Sequence, residues 1–106
     1  MKPNREESPR RQLATQKTLA GAFAALAEVS AVHALLLDLC TPAELQAIAD
    51  RWQVVLLLQQ GLPYRAINER TGVSVTTVGR VARCLTDGAG GYAAALNALT
   101  PSTENR

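Results

Sequence analysis

At 106 residues and a formal net charge of +2, the chain is sized for a single domain, and a small helical chain of this length often completes its core by pairing with a second copy. Its two cysteines, Cys40 and Cys84, lie far apart without a CxxC spacing and its one histidine is His33, a pattern that excludes a metal site. The longest apolar run, Val54 to Leu58, is too short to span a bilayer. With no secretory signal, the expectation is a soluble protein of the reducing cytoplasm, its thiols packed as small apolar groups.

Residues 1–12, MKPNREESPRRQ, mix Pro, Ser and charge with almost nothing apolar and read as a flexible arm, and 100–106, TPSTENR, read as a flexible tail. Between them, 13–99 is helical in pattern throughout, so the fold class expected is all-α. Leu19, Phe23, Leu26, Val32, Leu35, Leu36 and Leu39 form an apolar stripe at i, i+3 and i+4, with a break expected near Glu28 to Ser30. His33, on this Ala/Leu-rich helix, reads as a packed or surface side chain and not a catalytic one. TPAE at 41–44 is a start signal: Thr41 caps, Pro42 occupies a first position whose N–H has no partner anyway, and Glu44 closes a capping box. The helix that follows puts Leu45, Ile48, Trp52, Val55 and Leu56 on one face, then becomes apolar all round at VVLLL, which calls for cover from a second subunit. Gly61 ends it as a left-handed residue.

Residues 63–86 predict a helical hairpin. Pro63 to Arg70 makes a short helix with Ile67 inward, Gly72 supplies the turn, and Ser74 caps a second helix whose inner side carries Val78, Val81 and Leu85, with Val73 just before it. Asn68 stands where helix-turn-helix units usually keep Ala or Gly so that the helices cross closely, and Gly79 inside the second helix is unfavourable by about 1 kcal/mol against Ala. From Pro63 to Leu85, Arg65, Arg70, Arg80 and Arg83 face Glu69 alone, a local charge of +3, whereas Leu19 to Asp50 contains acids and no Lys or Arg. The candidate DNA-contacting residues are Arg65, Ser74, Val75, Thr76, Thr77, Gly79, Arg80 and Arg83: short side chains at the helix start can approach base edges, and arginines can reach phosphate or guanine. GAGGYA at 88–93 fits G-x-G-x-x-A but follows a helix and not a strand, so it reads as a linker to a last helix, Tyr92 to Leu99. No Ser/His/Asp set or carboxylate pair suggests catalysis, and an enzyme is not expected.

DLCTPAEL, TGVSVTTV, RVARCL and the glycine-rich GGY, within about residues 19–99, resemble the Trp repressor superfamily, most closely its YerC/YecD-type branch. The resemblance implies an intertwined all-helical homodimer that binds double-stranded DNA at palindromic operators through paired helix-turn-helix units, as a transcriptional regulator and specifically a repressor. A second function class stays open, a helical interaction module of the transcription machinery. In the superfamily's amino-acid-sensing members two arginines hold tryptophan, and Arg51 and Arg80 fall at the matching places, as does Thr41. Cys84 replaces a hydroxyl that helps hold the ligand there, so the resemblance implies DNA binding more than tryptophan sensing, with a small aromatic or carboxylate effector as the alternative ligand. For Arg51 a surface ion pair, and for Arg80 a phosphate contact, weigh equally with an effector role.

Overall fold

The computed structural model describes residues 8–100, and every element among them is an α-helix: α1 (Pro9–Ala25), α2 (Val29–Leu39), α3 (Pro42–Gln59), α4 (Tyr64–Thr71), α5 (Val75–Asp87) and α6 (Gly91–Leu99). None of these helices is long and apolar enough to cross a membrane. The chain divides into two compact units at about residue 42.

The first unit contains α1 and α2. Helix α1 begins at Pro9, inside the segment expected to be a flexible arm; of that arm, only 1–7 lie outside the described residues. A local signal explains the earlier start: the Ser8 hydroxyl accepts the Arg11 N–H at 3.2 Å, and Pro9 takes the position where a missing N–H is harmless. The break before α2 falls at 26–28, overlapping the expected Glu28 to Ser30 at Glu28. Neither helix contains a buried residue, and Leu13, Leu19, Val29, Leu37 and Leu39 are all exposed.

The second unit owns the core. Val54 and Val55 of α3, Ile67 of α4 and Val78 of α5 are fully buried, with Leu57 and Val81 almost so. Trp52, Leu58, Leu62, Val73, Leu85, Tyr92 and Leu96 pack around them, half-buried. The Trp52 and Tyr92 rings meet with centroids 6.4 Å apart and planes inclined by 43°, tying α3 to α6. Within this one chain α3 is not enclosed on every side, because Leu45, Leu56 and Leu58 are only half-buried and Ile48 is exposed.

Helix α3 stops at a Schellman motif. Gly61, at φ +85°, donates its N–H to Leu58 O at 3.0 Å, and Leu62 donates to Leu57 O at 3.3 Å, so two carbonyls that the helix leaves open are satisfied while Leu62 packs on the core. Gly72 does comparable work after α4, at φ +80°, a conformation that a side chain with Cβ resists. Gly88, Ala89 and Gly90 connect α5 to α6.

Candidate nucleic-acid interface

The α4–turn–α5 hairpin holds its shape through hydrogen bonds at the turn and apolar burial beneath it. Asn68 O accepts the Gly72 N–H at 2.8 Å, closing α4. The Thr71 hydroxyl donates to Ile67 O at 2.8 Å and accepts the Val73 N–H at 3.0 Å. The Asn68 side-chain amide donates to Val73 O at 2.9 Å. Below these, Ile67, Val78 and Val81 are buried on the facing sides of the two helices.

Helix α5 then sorts the candidate residues into separate roles. Ser74 Oγ accepts the Thr77 N–H at 3.1 Å and donates to Thr77 Oγ1 at 3.1 Å, so both hydroxyls serve the start of the helix. Thr76, Arg80 and Arg83 recur at i, i+4 and i+7, which puts them on one stripe, and all three are exposed. Val75 is 48% exposed in the first turn, an apolar side chain left in water by its own chain. Arg65 is exposed in the first turn of α4, and Arg70, in its last turn, is exposed too.

Gly79 shares the stripe of Thr76 and Arg83 but is half-buried: a Cβ at that position would lie 3.6 Å from Tyr64 Cε2. The Tyr64 ring from α4 therefore runs beside α5 and, still exposed, joins the edge of this surface. Sequence reading misses Tyr64. The sequence carries no signal for it, because a separation of 3.6 Å is ordinary van der Waals contact and does not require a glycine.

The candidate effector residues are only partly brought together. Arg80, Arg83, Cys84, Asp87 and Gly88 line a depression of about 300 Å³ on α5, and Arg51 is not among its lining residues. Arg51 is exposed on α3, and Thr41 is exposed just ahead of that helix. The expectation of buried thiols is corrected: Cys40 is half-buried and Cys84 exposed. The inner stripe of α5 is complete with Val78, Val81 and Leu85, which leaves the flank that bears Cys84 outside the core.

A family model described as Trp repressor protein matches residues 14–100. The uncharacterised protein YerC of Bacillus subtilis (strain 168) is 43% identical over 60 residues, which is 57% of this chain and 58% of YerC, so the match spans little more than half of that relative. A TrpR-like protein from Eubacterium eligens ATCC 27750 superposes with a TM-score of 0.72 at 30% identity, covering 78% of this chain and 86% of its own. A candidate Trp repressor from Staphylococcus aureus superposes with a TM-score of 0.75 at 29% identity, covering 88% and 95% respectively. With the six-helix order, the hairpin at 64–87 and a family match that extends from α1 through α6, the chain belongs to the Trp repressor family, in its YerC-like branch.

Proposed function

We propose that this protein is a DNA-binding transcriptional regulator that represses from palindromic operators as a homodimer, reading the major groove with α5. The observation that carries the reading is the exposed stripe of Thr76, Arg80 and Arg83 on a helix whose opposite side is locked into the core by Val78 and Val81. A rigid inner face and a free outer face are what a groove-entering helix requires. Thr76 and Val75, at its start, suit base edges and thymine methyl groups, while Arg65, Arg80 and Arg83 suit phosphates. Ser74 and Thr77 hold the helix start in position.

Homodimerisation is supported by α1 and α2, which together leave no residue buried within one chain. A second copy is the simplest cover for that much apolar surface, and its two-fold axis would pair two reading helices on a symmetric site. For an effector, the Arg80 and Arg83 guanidinium groups beside Cys84 suit a small carboxylate or aromatic molecule. Lacking the hydroxyl, Cys84 disfavours tryptophan, and added tryptophan should leave duplex affinity unchanged in a titration.

Salt dependence tests the main reading. If several phosphates are neutralised, affinity for duplex DNA should fall on the order of tenfold or more between 50 and 200 mM salt, linearly in a double-logarithmic plot. A flat response, with capture of a protein of the transcription machinery in its place, would instead make the hairpin a protein-docking element.

A further inference from the structure

We infer that Asn68 is a positioning residue for base reading: by holding the Val73 carbonyl, its side-chain amide sets the angle at which α5 enters the groove and thus the sequence preference of the protein. The role rests on the DNA-reading function proposed above.

The intrahelical ladder of α5 begins at Ser74, whose carbonyl accepts the Val78 N–H at 2.9 Å. Val73 O stands one residue ahead of that ladder and receives Asn68 Nδ2 at 2.9 Å. The N–H of the same residue is taken by the Thr71 hydroxyl at 3.0 Å. Val73 is therefore gripped through both its polar backbone groups by side chains from the end of α4, and its own side chain is packed against the core. Asn68 also accepts the Gly72 N–H through its backbone, so one residue of α4 fixes two successive residues of the turn. Ala or Gly at this place would let the helices cross closely but could not reach the Val73 carbonyl. The amide replaces a purely steric joint with a directional one.

The lever arm makes this joint matter. Val81, buried in the core, holds the middle of α5, so a helix released at its entry turns about that point. At 1.5 Å per residue Thr76 lies about 7.5 Å from it along the axis, and a rotation of about 10° moves Thr76 by about 1 Å but Arg83, about 3 Å away, by only about 0.5 Å. Base-edge hydrogen bonds need donor and acceptor within about 3 Å and do not survive such a shift. Arginine–phosphate contacts do, because the side chain is long and the attraction is only weakly directional. Loss of the amide should therefore appear in discrimination between sequences, not in general affinity for DNA.

The test starts from the full-length protein and a randomised duplex pool, from which the wild type recovers a preferred duplex. Affinities are then measured for that duplex and for a scrambled one of equal composition, at one salt concentration, for the wild type, Asn68→Ala, Asn68→Leu and Leu96→Ala. Leucine fills a similar volume without a donor, and Leu96, half-buried on α6, serves as a control for general loss of stability. Both Asn68 variants should lose about tenfold or more in the ratio of the two affinities, with scrambled-duplex binding held within about twofold, while Leu96→Ala lowers the thermal midpoint and keeps the ratio. Retention of the ratio by a folded Asn68 variant, or an equal loss in Leu96→Ala, overturns the role. Failure of the wild type to enrich any duplex is a separate result: it removes the DNA-reading function, and the positioning role falls with it.

Discussion

Thr76 and Arg83 stand on one stripe of α5, seven residues apart, and are expected to fail differently when truncated. Arg83→Ala should weaken binding to all duplexes about equally and lower the salt slope by about 1, as removal of one phosphate contact does; Thr76→Ala should shift sequence preference by about 1 kcal/mol and leave the slope unchanged. Competition binding against a small duplex library at two salt concentrations reads both, and identical behaviour of the two variants would contradict the division of labour. At this scale the sequence identifies which residues lie on the hairpin but not what each one does. Ser74 and Thr77 look like base-reading hydroxyls from spacing alone, yet they bond to each other at the helix start. Cys84 reads as a packed thiol and is exposed, because whether a flank of a helix is covered depends on neighbours from elsewhere in the chain.

Helix α5 carries a penalty that its fold does not demand. Gly79 lies mid-helix, where glycine is unfavourable by about 1 kcal/mol relative to alanine, and the Cβ of an alanine would meet Tyr64 at 3.6 Å, an ordinary van der Waals separation. Gly79→Ala should accordingly stabilise the protein by up to about 1 kcal/mol and raise its melting temperature by about 4–8 °C in a thermal scan at fixed protein concentration. A lower midpoint would mean that the tyrosine ring cannot accommodate the methyl group. The helix ends are the most legible features in the sequence. Pro42, Gly61, Gly72 and Ser74 act on backbone groups no more than about five residues away, so their signals are complete in the local sequence. The start of α1 is less legible for the opposite reason: its first turn has a Ser–Pro cap but no apolar periodicity, and its composition is that of a flexible arm.

Taken whole, the chain comprises a unit of two helices without a buried residue and a unit with a small core of its own. If a second copy covers α1 and α2, folding and association are one event, and the melting temperature should rise with protein concentration. Light scattering should return twice the 11.3 kDa chain mass at micromolar concentration. A monomeric mass with intact helicity would exclude the homodimer. The sequence by itself determined the all-α class, the helix order from α2 to α6, the turn residues and the family, because caps, glycine turns and a 3.6-residue period are written in near neighbours. Only the tertiary structure decided that Tyr64 lies against Gly79, that the Asn68 amide finds the Val73 carbonyl, and that Arg80 shares a depression with Cys84 that Arg51 does not line. Those meetings depend on the angle and depth at which packed helices cross, and that geometry is set jointly by all the side chains of a core, not by any one segment.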